Sequence, residues 1–297
     1  MPTIGLKFGT SLPAVQQIPT RAQAWERAIG GPELLQAART AERAGFAYVS
    51  CSDHVCVPAS RAPAMGATWF DAGSTLAFVA AATERIGLLP HVLVLPYRHP
   101  LIVAKQYGTL DYLSGGRLIL GVGSGHLKPE FKVLGADYER RGRVSDEYVA
   151  AIAAAWENEV VRFDGETVAF HDVVVSPRVA QRPRPSIWVG GNSRAAVRRA
   201  ARHGDGWIPW ELTPESCAAA LTFARRERAA AAPPEAFEVI APLGVDPAAS
   251  ADAVVAAAAR WRSAGATGFH VGIAASSFAE YLGRLDWLGR DVMPHVS

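Results

Sequence analysis

The chain has 297 residues, of which 49% are hydrophobic and 20% charged, and its formal net charge is +2. This composition excludes a disordered chain and supplies enough apolar surface for a large core. Because no run of five or six like charges occurs, a nucleic-acid or other acidic partner is not expected. The densest basic stretch, Arg198, Arg199 and Arg202, has helical spacing beside alanines and is interpreted as a solvated helix face.

The three cysteines Cys51, Cys56 and Cys217 show no paired spacing, so we expect reduced thiols in a cytoplasmic protein. The amino-terminal segment lacks the basic and apolar regions of a signal peptide, and no stretch of 18 apolar residues occurs. Neither secretion nor a membrane span is therefore expected. The histidines and cysteines have no metal-ligand spacing, so no metal site is expected either.

Strand-like segments recur along the chain and are apolar on both alternating faces, which is typical of parallel strands covered on both sides. The eight predicted strands are 6–12, 47–52, 86–95, 117–122, 186–189, 206–210, 239–245 and 268–273. Amphipathic, alanine-rich helices are predicted between them at 32–44, 101–113, 143–156, 194–203 and 251–264. Three helices run into a glycine suited to a left-handed cap, at Gly45, Gly204 and Gly265.

Alternating strands and helices predict βαβ units, and eight of them predict a (β/α)₈ TIM barrel, here as one domain over residues 1–297. A doubly wound open sheet is the alternative. Two segments interrupt the pattern: a long loop at 52–74 and an inserted hairpin at 160–185 that turns at Asp164-Gly165. Residues 229–234 are interpreted as a helix end and turn.

Polar and glycine-rich motifs follow several predicted strands, where a barrel places its active site. Asp53 and His54 end the second strand and suit proton transfer, or else Asp53 caps a loop with His54 as its partner. A Gly-x-Gly-x-Gly motif that ends at Gly125, next to His126, allows close approach of a ligand or of another backbone.

A second glycine motif, Gly190-Gly191-Asn192-Ser193, precedes a helix whose amino terminus suits a phosphate, although a tight turn explains the same residues. His91 is a lone histidine in an apolar strand and is by default a packed residue.

These motifs stand within longer stretches that resemble the luciferase-like monooxygenase superfamily, and most closely its branch of oxidoreductases that use the deazaflavin coenzyme F420. The matching stretches are 41–54 (AERAGFAYVSCSDH), 92–100 (VLVLPYRHP), 104–123 (AKQYGTLDYLSGGRLILGVG), 130–147 (EFKVLGADYERRGRVSDE) and 187–210 (IWVGGNSRAAVRRAARHGDGWIPW). The resemblance implies a (β/α)₈ barrel with a cofactor ring across the strand ends.

The resemblance also implies roles for individual residues. Asp53 and His54 match the pair that contacts the ring, with His54 as the catalytic residue, and His91-Val92 matches a non-prolyl cis peptide that forms a bulge behind the ring. Gly190, Gly191 and Asn192 match the turn that holds the phosphate of the cofactor tail.

Gly125 and His126 are also counted as cofactor-binding. Some relatives carry an acidic residue where this chain has His126, which puts any role of that acid in doubt.

Three functions follow as hypotheses. The first is an F420-dependent oxidoreductase that transfers a hydride between the deazaflavin and a small organic substrate. The second is an FMN-dependent monooxygenase that uses O₂ and needs a separate reductase. The third is a barrel that binds a cofactor without turnover. Relatives are often homodimers, and apolar residues within 156–175 are a candidate interface.

Overall fold

The computed structural model describes residues 6–229 and 237–296, and most of its strands lie in one parallel sheet. The strands are β1 (Lys7–Ser11), β2 (Tyr48–Cys51), β3 (Gly87–Pro90), β4 (Leu93–Val94), β5 (Ile119–Gly123), β6 (Val161–Asp164), β7 (Ala169–Val173), β8 (Ser186–Gly190), β9 (Gly206–Ile208), β10 (Glu238–Val245) and β11 (Gly268–Ile273). The large sheet has the order β3-β2-β1-β11-β10-β9-β8-β5-β4.

The two edges of this sheet meet. Strands β3 and β4 are the two halves of the predicted strand 86–95, and β4 pairs with β5. The amide of Leu88 in β3 donates to the carbonyl of Arg117 at 2.9 Å, and Leu88 forms a parallel bridge with Leu118. The predicted eight-stranded barrel is therefore confirmed, and the open doubly wound sheet is excluded.

Helices alternate with the barrel strands. They are α1 (Gly31–Arg43), α2 (Ala62–Met65), α3 (Ala72–Ala80), α4 (Pro100–Leu113), α5 (Lys128–Leu134), α6 (Arg141–Glu157), α7 (Arg194–His203), α8 (Pro214–Ala229), α9 (Ala251–Ser263) and α10 (Phe278–Trp287). The five predicted helices are confirmed to within two residues at each end. No described helix combines the length and apolarity needed to cross a membrane.

Several local predictions are corrected or extended. Gly45 and Gly265 have φ values of +87° and +103°, as the caps require, but Gly204 has φ −109°. A Cβ at Gly204 would lie 3.0 Å from the carbonyl oxygen of Ala200, so close packing explains that glycine. The predicted loop 52–74 contains α2 and the start of α3. The predicted turn at 229–234 lies outside the described residues, apart from the last residue of α8.

The inserted hairpin is present as the antiparallel pair β6 and β7, whose turn is closed by the amide of Gly165 donating to the carbonyl of Val168 at 3.0 Å. The following irregular segment is held by Asp111, a fully buried residue of α4 whose carboxylate accepts the amides of Ala180 and Gln181 at 2.8 and 3.1 Å. Trp156, which begins the predicted dimer interface, is buried with 2% exposure, so it is not available for such a contact.

The prediction of a solvated helix face is wrong for Arg199, since only 3% of this residue is exposed. Its guanidinium donates to Asp146 at 2.6 Å, to Ser124 Oγ at 2.8 Å and to the carbonyl of Gly142 at 2.7 Å. These contacts join α7 to α6 and to the residue that follows β5. The buried charge is tolerated there because all three guanidinium nitrogens donate hydrogen bonds.

We expect Arg199→Met to lower the free energy of unfolding by about 1–3 kcal/mol, because it removes the three hydrogen bonds that the buried guanidinium donates. Arg198→Met is the matched control, since the Arg198 side chain is 44% exposed and pairs with Glu227 at the surface. That control should change stability by no more than about 0.5 kcal/mol. Urea unfolding measures both, and equal losses in the two variants would contradict the structural role of Arg199.

Candidate active site

The interior of the barrel is filled by a cluster of buried apolar residues. Tyr48, Leu89 and Trp188, each fully buried, form the apolar filling together with residues of β9 and β10. Because side chains alternate along a strand, the residues two positions further on face the same interior. Those residues include Ser50, His91 and Gly190, which are small or polar, so the apolar filling ends below the mouth of the barrel.

A cis peptide bond between His91 and Val92 separates β3 from β4, as the family resemblance implies. The side chain of Val92 fills space that two glycines leave free. A Cβ at Gly123 would lie 2.7 Å from Val92 Cγ2, and one at Gly190 would lie 2.9 Å from Val92 Cγ1. These two glycines are therefore explained by the close approach of Val92.

Gly125 has a similar explanation. Its φ is +74°, and a Cβ there would meet Val94 at 2.7 Å and the ring of Phe131 at 2.8 Å. The sequence left open whether the glycine motif admits a ligand or a neighbouring backbone. At Gly121, a Cβ would lie 2.2 Å from the carbonyl oxygen of Pro90, so the motif admits the neighbouring strand.

The carboxylate of Asp53 is buried and faces Arg98. Arg98 binds it through both terminal nitrogens, at 2.7 and 2.8 Å, and the amide of Val94 donates to the same carboxylate at 2.9 Å. Asp53 thus ties the end of β2 to the backbone just after the cis peptide. Its predicted contact with a cofactor ring stays a prediction.

His54 is held by Glu130, a residue of α5 to which the sequence analysis gave no role. Nδ1 of His54 lies 2.7 Å from Glu130 Oε2. The same carboxylate accepts the amides of Val55 and Cys56 at 2.8 and 3.2 Å and the hydroxyl of Tyr97 at 2.9 Å. Glu130 is fully buried, so it fixes the whole turn that carries His54.

The protonation state of this pair follows from these contacts. Burial by itself would raise the pKa of Glu130, but the hydrogen bonds from His54, Cys56 and Tyr97 outweigh it and lower that pKa. Because Glu130 is an ionised acceptor, the proton between the two side chains belongs to Nδ1 of His54. Nε2 is then the ring nitrogen that is able to exchange a proton.

His54 lies among aromatic rings at a cavity of about 350 Å³, which Trp69, Tyr97 and Arg98 also line. The ring of Trp69 meets that of His54 edge-on at 4.4 Å between centroids, and the ring of His126 lies 5.9 Å away. Partial burial lowers the pKa of His126, and the neighbouring His54 lowers it further. The structure therefore brings together the predicted residues His54 and His126.

His91 is next to a second histidine, His270 of β11, with ring centroids 4.3 Å apart. Burial lowers the pKa of His91 to about 4 and holds that of His270 well below its ordinary value, with His91 lowering the latter further. Nε2 of His270 lies 3.0 Å from Ser11 Oγ, and Nδ1 lies 3.3 Å from the hydroxyl of Tyr48. Both imidazoles are therefore neutral near pH 7.

The second glycine motif connects β8 to α7. Gly191 has φ +116°, a conformation that favours glycine, and Ser193 caps α7 by accepting the amide of Ala196 at 3.1 Å. The side chain of Asn192 binds both the amide and the carbonyl of Trp210. The first turn of α7 leaves amide groups without intrahelical acceptors, so a phosphate site there rests on backbone groups and stays a prediction.

Two important residues were missed by the sequence analysis. Glu130 could have been found, because residues 127, 130, 131 and 134 share one face of α5 and Leu127 and Phe131 on that face are buried. An acidic residue on an apolar face signals a buried, paired carboxylate. Arg98 had no such signal, since its role depends on the turn after β4. Among the described residues, no group of His, Cys, Asp and Glu is arranged to hold a metal ion.

We expect Glu130→Gln to destabilise the fold most at neutral pH. Since the pKa of Glu130 is lowered from 4.5 in the folded state, its carboxylate stabilises the fold above that pH and loses this effect as the pH falls. The difference from wild type should be about 1–3 kcal/mol at pH 7 and should shrink toward about pH 3.

Urea unfolding at several pH values measures this difference. Glu84→Gln is the control, because the Glu84 side chain is 86% exposed, and it should follow the wild type throughout. A Glu130→Gln deficit that is constant with pH would show that charge on Glu130 does not contribute.

Known proteins resemble this chain in sequence and in fold. An FMNH₂-dependent dimethylsulfone monooxygenase of Pseudomonas putida is 36% identical over 131 residues, which are 43% of this chain and 36% of that protein. An F420-dependent glucose-6-phosphate dehydrogenase of Intrasporangium calvum is 35% identical over 185 residues, which are 60% of this chain and 54% of that protein. The chain thus spans between about a third and about half of these two relatives.

A solved structure of a monooxygenase from Streptomyces bottropensis superposes with a TM-score of 0.82 at 24% identity, covering 98% of this chain and all of the other. This likeness shows a shared fold. The profile of luciferase-like monooxygenases matches residues 6–291, which is nearly the whole chain. The chain therefore belongs to the luciferase-like monooxygenase family.

Proposed function

We propose that this protein is an F420-dependent oxidoreductase that acts on a small organic substrate. The observation that carries the proposal is the His54–Glu130 pair, which follows β2 at the carboxyl end of the barrel. A relative with an F420-dependent activity aligns with 60% of this chain, a larger share than the FMNH₂-dependent relative at 43%.

The residues at the barrel mouth fit a flat cofactor with an anionic tail. Val92, at the cis peptide, is held by close packing against Gly123 and Gly190 and would offer a fixed apolar surface to one face of a ring. At the other end, Gly191 brings the backbone to the open first turn of α7, where amides and the helix dipole favour a phosphate. Val92 and Gly191 would therefore hold opposite ends of the cofactor.

When bound, the deazaflavin supplies hydride transfer, and the protein has to supply a proton or remove one. His54 does this through Nε2, because Glu130 keeps Nδ1 protonated and keeps the ring from turning. Glu130 accordingly acts by positioning His54. Asp53 and Arg98 act in the same way on the backbone of Val94, and so keep Val92 in place.

A monooxygenase that uses FMN and a separate reductase is the second candidate. It is supported by the identity of 36% to an FMNH₂-dependent enzyme. His126 also favours it, because the family resemblance implies an acidic residue at this point in some F420-dependent relatives. A flavin and a deazaflavin have rings of the same outline, so the residues around His54 suit either.

Titration of the purified protein with oxidised F420 and, separately, with FMN distinguishes the two candidates, with ring fluorescence as the readout. We expect saturable F420 binding and weaker FMN binding. Gly191→Val should weaken binding at least about tenfold, since its Cβ meets Ala196 at 3.1 Å and its φ is +116°. Gly115→Val is the control, because Gly115 also has positive φ but open space around it. Tight FMN binding without an F420 response would overturn the proposed cofactor.

His54→Ala should lower kcat by about 10²–10⁴-fold on any substrate that the wild type accepts, with cofactor affinity changed only a few-fold. His54→Gln should lose as much, since an amide can still bind Glu130 but cannot exchange a proton. His171→Ala, an exposed histidine that pairs with Asp164 in the hairpin, should match the wild type. If His54→Ala left turnover unchanged and altered only cofactor affinity, His54 would contribute to cofactor binding and would not be the catalytic residue.

A further inference from the structure

A cavity of about 590 Å³ opens between the carboxyl ends of β1, β10 and β11. Its walls are mostly apolar and include Leu12, Ile18, Trp25, Ile273 and Tyr281. None of the residues predicted to bind the cofactor lines it. The volume is in the range that encloses a small organic ligand.

Two glycines on neighbouring strands form one side of this cavity. Gly244 of β10 and Gly272 of β11 are paired in register, and a Cβ at either would meet no heavy atom within 4 Å. Other strand glycines differ, since a Cβ at Gly121, Gly190 or Gly268 would come within 3 Å of a neighbour. Packing within the protein therefore does not explain Gly244 and Gly272, and such bare strand positions suit close approach of a ligand.

The floor of the cavity is polar but carries no charge. Ser11 and His270 line it, with Ser11 Oγ 3.0 Å from His270 Nε2. Both ring nitrogens of His270 have partners within the protein, Ser11 Oγ and the hydroxyl of Tyr48, so the Ser11 hydroxyl is the group that can bond to a ligand oxygen. The contact of His270 with the ring of His91 joins this floor to the cis peptide, and so to the proposed cofactor site.

The charged side chains that line the cavity are all engaged. Arg21 pairs with Glu211 at 2.7 Å, and Asp246 accepts the amide of Ala248 at 2.8 Å. The third, Glu26, accepts the amides of Ala14 and Gln23, both at 2.9 Å. An anionic ligand would therefore meet the two carboxylates Glu26 and Asp246, while Arg21 already has a partner in Glu211, which favours a ligand without negative charge.

We propose that this cavity binds the organic substrate, and that the substrate is a planar molecule without negative charge and with one hydroxyl or carbonyl oxygen. Its flat face lies against the bare backbone of Gly244 and Gly272. Its oxygen binds the hydroxyl of Ser11, which His270 holds in place. This proposal rests on the proposed function for what happens to the substrate, but the binding itself does not depend on which cofactor is used.

Equilibrium dialysis with 2-acetylnaphthalene, a planar neutral ketone, tests the proposal on the protein with and without saturating cofactor. We expect saturable binding in both states. Gly272→Leu and Gly244→Leu should each weaken it at least about tenfold, because leucine fills the cavity. Gly283→Leu is the control, since Gly283 lies in α10 with open space around it, and it should bind as the wild type does.

Ligand chemistry gives a second comparison. The anionic analogue 2-naphthoate should bind at least about tenfold more weakly than the ketone. Ser11→Ala should weaken binding of the ketone about three- to tenfold and leave 2-ethylnaphthalene, which lacks the oxygen, unchanged.

Three results would overturn the proposal: unchanged ketone affinity in both leucine variants, naphthoate binding as tightly as the ketone, or displacement of the ketone by F420 or FMN. Failure of the proposed function gives a different result. Suppose that neither cofactor binds, while ketone affinity still falls in Gly272→Leu and not in Gly283→Leu. The proposed ligand site is then supported and the proposed cofactor is wrong.

Discussion

The packing of Val92 against Gly123 and Gly190 is the contact around which the barrel mouth is built. The valine side chain occupies the places where two Cβ atoms would otherwise stand. Since β4 follows directly and pairs with β5, a larger residue at either glycine would push apart two neighbouring strands at the point where the barrel closes. The same contact fixes the valine of the cis peptide, so closure of the barrel and the shape of the proposed cofactor site depend on one set of atoms.

Two buried carboxylates hold the chain on either side of this contact. Asp53 binds Arg98 and the amide of Val94, while Glu130 binds His54 and the turn that carries it. A buried carboxylate without partners would be costly, so each is stable only when its full set of donors is in place. This cooperativity explains how an irregular loop after β2 can hold His54 in one orientation.

The strand and helix pattern predicted the barrel well, because apolar runs and helical periodicity depend on local sequence alone. The same reasoning failed where the environment of a side chain is set by a partner that is distant in the sequence. Arg199 follows the spacing of an exposed helix face, yet it is buried and donates hydrogen bonds to Ser124 and Asp146. Site residues behaved similarly: the sequence marked His54 and Gly191, but the partners Glu130 and Arg98 come from segments that only the closed barrel brings near.

Glycines at the strand ends fall into two physical classes, and the distinction bears on function. Those at Gly121, Gly123 and Gly190 are filled by neighbouring atoms of the protein and are therefore required for folding. Gly244 and Gly272 have open space where a side chain would stand. Glycine lowers the strand propensity at both positions, and no packing contact within the protein compensates for this. A site whose backbone is left bare at such a cost in strand propensity is best explained by a ligand that needs the room. The filled glycines thus shape the end of the mouth where the cofactor is proposed to bind, and the open ones shape the end where the substrate is proposed to bind.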